Sequence, residues 1–229
     1  MLLAWLWLPI TVVVYLGADA LQQRLGWLIL QPMLISVLIL IPLLLGSGQS
    51  IAVYQRATSP LVWIAGPLTV GMAIPLFNER RRIVEAARPL LITLGIGSLL
   101  ASGSAFALAC LFHLGAPVDK AFLTRAISLP FCLPVTRLIG SPSGLAAVIV
   151  GVSGLLGGIA APMLLPQRLS ESARGVAMGL AAHGIGTAVA LRLSVRSGAY
   201  AALGMMLNGL LTSLWLPWLW QRAAHHIGF

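Results

Sequence analysis

Two interrupted apolar stretches hold the side chains of this sequence that could do chemistry. Residues 178–193 read Met-Gly-Leu-Ala-Ala-His-Gly-Ile-Gly-Thr-Ala-Val-Ala-Leu-Arg-Leu, which sets a titratable His183 among apolar residues with Gly184, Gly186 and Thr187 beside it. Residues 120–139 hold Arg125, Ser128, Pro130, Pro134 and Arg137 in an equally apolar setting. In hydrocarbon an unsatisfied backbone group costs several kcal/mol, so irregular backbone survives only against protein or a water-filled cavity. Prolines remove amide donors, and paired glycines let a helix open. Both stretches are therefore expected to be discontinuous or re-entrant. Half-helix N-termini of that kind aim free amides and a positive dipole end at an anion near the midplane. The chemistry predicted is the binding of a small anion among Arg125, Ser128, Pro130, His183, Gly184, Gly186 and Thr187. A plainer reading stands beside it, in which proline and glycine kink packed helices and His183 hydrogen-bonds to a neighbour.

Covalent chemistry is a poor fit to the same residues. His183 has no Ser or Cys nucleophile nearby, no second histidine at metal spacing and no carboxylate within a helix turn, so no enzyme, metal site or cofactor is expected. Cys110 and Cys132 fall inside apolar segments and read as filler. The five acidic residues, Asp19, Glu79, Glu85, Asp119 and Glu171, all stand near span ends, so no buried carboxylate advertises an ion relay. His183 is the mid-span group suited to a proton, an imidazole titrating ordinarily at about 6.5. His113 reads as interfacial, and His225 and His226 as a solvated tail.

The elements that must position these residues follow from composition. With 59% hydrophobic and 8% charged residues and a mean hydropathy of +0.98, the chain is an integral membrane protein. Several of its apolar runs are long enough to supply the ~20 residues a spanning helix needs, and none alternates like a barrel strand. An all-α fold of about eight membrane segments is expected, as one helical domain over residues 1–229. The segments read as residues 2–16, 27–45, 60–77, 90–114, 120–139, 145–165, 174–193 and 198–220. The start Met-Leu-Leu-Ala-Trp meets no basic residue before Arg24, so it reads as a retained first span rather than a cleaved signal. Small residues crowd 90–114 and 145–165, which favours close packing within the chain or self-association. Trp215, Trp218 and Trp220 mark an interface.

The net charge of +9 sits in short connections, where it sets topology and does not imply nucleic acid. Arg80, Arg81, Arg82 and Arg88 form the densest cluster and should be cytoplasmic. Eight straight crossings would add Arg24, Arg137, Arg192 and Arg196 to that side, leaving Arg56, Lys120, Arg125, Arg168, Arg174 and Arg222 opposite.

Three features together resemble the LrgB/CidB family over about residues 32–217: the run Gly66-Pro67-Leu68-Thr69-Val70-Gly71-Met72-Ala73-Ile74-Pro75-Leu76; Ala173-Arg174-Gly175 leading into Ala182-His183-Gly184-Ile185-Gly186-Thr187-Ala188; and Gly198-Ala199. The resemblance implies a multi-pass protein of the bacterial inner (cytoplasmic) membrane, working beside a small LrgA/CidA-type membrane partner, and adds Thr69 to the candidate substrate-binding residues. It implies a carrier of small 2-hydroxy or 2-oxo monocarboxylates such as glycolate, glycerate and pyruvate, as in the related plastid glycolate/glycerate translocator. The alternative it carries is a holin/antiholin-like regulator of murein hydrolases and autolysis acting by oligomerisation. The chain departs from the family where relatives carry Lys-Ser-Val-Thr-Thr-Pro, here Arg125-Ala126-Ile127-Ser128-Leu129-Pro130, and at Ala182, Val189 and Arg192, usually Ser, Arg and Glu.

Overall fold

The computed structural model describes residues 5–27, 30–71 and 73–227, and every regular element among them is helical. They form two compact units, Met1–Ala73 and Ile74–Phe229. The first holds α1 (Trp7–Leu25), α2 (Pro32–Gly46) and α3 (Ile51–Gly71). Helix α1 runs on through the polar patch expected to end it, helped by Gln23 donating to Asp19 at 2.6 Å, and stops at Gly26 with φ 68°. Helix α3 starts nine residues ahead of the expected Pro60. Pro60 has no amide for the Arg56 carbonyl, and the Ser59 hydroxyl donates to it instead at 2.9 Å. Trp7 packs edge-on against Tyr54, with centroids 5.6 Å apart.

The second unit comprises α4 (Ala73–Asn78), which opens at the boundary, α5 (Arg80–Glu85), α6 (Ala87–Leu111), α7 (Ala116–Phe122), α8 (Leu129–Leu138), α9 (Ser143–Leu164), α10 (Glu171–Leu193) and α11 (Val195–Ile227). Among the described residues four helices are long and apolar enough to cross a membrane: α6, α9, α10 and α11. Length misleads for α10. His183 breaks its helical geometry at φ 49°, ψ −127°, and a Cβ added to Gly186 would meet the Met178 carbonyl and the Ala182 Cβ. In a straight helix residues 178 and 186 lie about 12 Å apart. The chain therefore doubles back at His183, making a hairpin with limbs 171–182 and 184–193 of about 18 and 15 Å, each too short to cross. Gly175 and Gly179 bring the first limb onto the α11 backbone at Ser197 and Ala201.

Segment 116–138 is a second such hairpin. Its limbs α7 and α8 are joined by non-helical residues 123–128. Ala121 from the first limb and Val135 and Ile139 from the second share one cluster with Ala146 and Val150, all from the first half of α9. A single broken crossing would have placed Ala121 beside the other half. The second half of α9 instead supplies Ala161 to the cluster of Met178 and Ala190 on the α10 hairpin.

The two hairpins enter from opposite ends. At one end Lys120 lies over the Trp220 ring at 5.2 Å, and Phe106 packs on the same ring. At the other, Arg196 pairs with Glu79 at 3.6 Å and Ser197 donates to the Glu171 carbonyl at 3.1 Å. Doubling back changes the sidedness expected for straight crossings. Arg168 and Arg174 join Arg80, Arg81, Arg82, Arg88, Arg192 and Arg196 at the Glu79 end, while Arg137 moves to the Trp220 end with Lys120 and Arg222.

Candidate functional site

The hairpin tips meet at the middle of α9, whose two central residues are Ser153 and Gly154. From the first tip, Arg125 Nη1 donates to Ser153 Oγ at 3.3 Å. From the second, His183 lies against Gly154, where an added Cβ would stand 3.4 Å from Nδ1 and 3.2 Å from Ile185 Cδ1. At Gly157 it would meet Ala182 Cβ at 3.0 Å and the Ala181 carbonyl at 3.1 Å. Two glycines of α9 thus let the α10 tip approach its backbone. The imidazole also lies within electrostatic reach of the Arg125 main chain and guanidinium.

One tip is strained, and the other carries a charge without a counter-charge. A non-glycine residue in the geometry of His183 costs on the order of 1–3 kcal/mol and persists only where its surroundings over-determine it, a condition concentrated at functional sites. His183 is 4% exposed, and its Nε2 has no hydrogen-bond partner among the described residues. Arg125 is half-buried, and no carboxylate among the described residues pairs with it. An unpaired guanidinium at the depth of the α9 midpoint is complementary to a small anion, and His183 Nε2 joins it as a donor when that nitrogen carries a proton.

The remaining candidates divide by position. Thr187 is 2% exposed and donates to the His183 carbonyl at 2.8 Å, so its hydrogen secures the break instead of pointing into the site. Gly186 is buried at the crossing of the limbs, whereas Gly184 is exposed with open space beside it. Ser128 is half-buried and precedes α8, without capping it. Pro130 is exposed in the first turn of α8, where a missing amide costs nothing, and Pro134 lies inside that helix. The first break consequently falls at 123–128, ahead of the expected prolines. The Thr69 side chain, Met72 and the tail histidines His225 and His226 lie outside the described side chains. Ala182 and Thr187 are buried at the tip, while Arg192 is exposed.

Three contributors escaped the sequence reading. Ser153 and Gly154 were merged into a small-residue span. Asn208, 1% exposed on α11, donates through Nδ2 to the Ala126 carbonyl, next to Arg125. A lone amide in the apolar stretch of α11 is a signal that could have identified it. Asp119 corrects a second expectation: it is buried, and its Oδ1 has no partner among the described residues.

No solved structure matches this chain. Protein YwbG of Bacillus subtilis is 32% identical over 92% of this chain and 94% of its own length. The holin-like protein CidB of Staphylococcus aureus is 31% identical over 93% of this chain and 94% of its own. A protein of Haemophilus influenzae is 27% identical over 88% and 89%. Residues 11–222 match the LrgB-like family, so nearly the whole chain, including both hairpins and α9 between them, belongs to that family.

Proposed function

We propose that this chain carries small organic anions, monocarboxylates of the 2-hydroxy and 2-oxo acid type, across the bacterial inner membrane. The convergence of Arg125 and His183 on the centre of α9 carries this reading. Two hairpins entering from opposite ends leave a binding point that is separated from each aqueous face by one hairpin, as alternating access requires. On this reading the second unit contributes three crossings, α6, α9 and α11, and two re-entrant hairpins. The Glu79 end holds eight of the basic residues of the second unit and is cytoplasmic by the positive-inside rule. An LrgA/CidA-type membrane protein is the proposed partner. No step requires a cofactor or covalent chemistry.

A second reading has its own support. The Staphylococcus aureus relative is named a holin-like protein, which favours regulation of murein hydrolases and autolysis by membrane oligomerisation over substrate transport. The two separate in proteoliposomes. A carrier shows saturable counterflow of labelled pyruvate, glycolate, glycerate or lactate and retains an entrapped dye. Dye release rising with protein density, without saturation by any of these acids, would replace the carrier reading with the holin-like one. Running both assays with and without the LrgA-type protein tests the partner.

A further inference from the structure

We propose that Asn208 is a positioning residue for the anion site, fixing the first hairpin tip so that Arg125 faces His183; this rests on the carrier reading above. The tip 123–128 is held within itself by short-range bonds, including Leu123 N–H to Lys120, Thr124 N–H to Ala121, Arg125 N–H to Phe122 and Ile127 N–H to Thr124. None of these satisfies the Ala126 carbonyl. A backward extension of α8 would not satisfy it either, because the residue four positions on is Pro130, which has no amide hydrogen. The carbonyl is left in a segment where Ala126 is 2% exposed and water is not at hand.

Asn208 supplies the missing donor from another element. Its Nδ2 reaches the Ala126 carbonyl across 82 residues of sequence, and the side chain is fully buried. Gly209 beside it leaves room for the Phe131 ring of α8. One amide thus ties the 126–127 peptide, one residue beyond Arg125, to α11, the helix whose backbone also seats the other hairpin through Gly175 and Gly179. Both tips take their position from one helix. The guanidinium at Ser153 and the imidazole at Gly154 are set at a fixed separation by that common support.

The test uses the full chain in lipid nanodiscs, reading hydrogen exchange of the 123–128 amides and binding of labelled pyruvate. Asn208→Leu removes the donor at similar size and should speed exchange at 123–128 and weaken pyruvate binding by about tenfold each, the loss of one buried hydrogen bond. Exchange in α9 should stay as in the parent protein. Asn208→Gln, which keeps a donor amide, should recover both readouts; a role in bulk packing alone would not be rescued by the longer side chain. Unchanged exchange at 123–128 in Asn208→Leu would overturn the proposal. So would faster exchange with pyruvate binding unaltered. If the parent protein binds no pyruvate the carrier reading fails for that acid, and exchange at 123–128 decides the role of Asn208. If Asn208→Leu does not fold, Asn208→Ser, too short to reach the carbonyl, takes its place with the same expected losses.

Discussion

Replacing Gly186 and Gly184 separately by alanine probes whether the α10 segment doubles back. At Gly186 the new methyl would overlap the Met178 carbonyl and press on Ala182. Backbone cannot swing aside as a side chain would, so the upper end of the usual overpacking cost applies, about 3 kcal/mol. Alanine's preference for helix over glycine returns about 1 kcal/mol, leaving a net loss of about 2 kcal/mol. For a chain of this size that lowers the midpoint of thermal unfolding in detergent by about 4–8 °C. Gly184 is two residues away, with nothing within 4 Å of an added Cβ. There the helix preference acts alone, and the midpoint should hold or rise by about 1–4 °C. A straight helix would leave both glycines far from Met178. Equal midpoints for the two variants would refute the hairpin.

Sidedness gives an independent check: with Cys110 and Cys132 replaced by alanine, single cysteines at Ser170 and Ser194 should react with an impermeant maleimide from the same membrane face, and labelling from opposite faces would mean that α10 crosses. Thr187→Val should cost about 1 kcal/mol of stability, the worth of the bond to the His183 carbonyl, and change pyruvate affinity far less than Arg125→Gln does; the reverse order in a binding titration would place the hydroxyl in the site. Gly154→Leu should abolish counterflow by displacing the His183 ring, whereas Gly151→Leu, directed into open space, should leave it intact.

The sequence announced the interruptions more clearly than their geometry. The glycines beside His183 marked the second break to within a few residues, at 183–186, and the non-helical residue is His183 itself. Gly186 was read as a residue that opens a helix; its role is to let two limbs cross, a contact eight residues apart that local pattern does not encode. The prolines marked the right segment and the wrong residues, since Pro130 starts α8 and the break lies ahead of it. Thr187 was read as a ligand for the anion; its hydroxyl hydrogen is given to the His183 carbonyl one turn back. Apolar length cannot distinguish a crossing from two half-length limbs. The charge census carried that information only once the hairpins were known, when the basic residues of the second unit gathered at the Glu79 end. Ser153 and Asn208 matter through partners 28 and 82 residues away, and periodicity does not reveal such pairings.

Equilibrium binding of labelled pyruvate, glycolate, glycerate and lactate to the purified protein, compared across Arg125→Gln and His183→Ala, tests most directly whether the hairpin tips hold an anion. Saturable binding of at least one of these acids is expected, competed by the others, lost by about tenfold or more in Arg125→Gln, which removes a charge-assisted hydrogen bond, and weakened in His183→Ala. Binding that survives both substitutions unchanged, or no saturable binding of any of the four, would contradict an anion site at the tips.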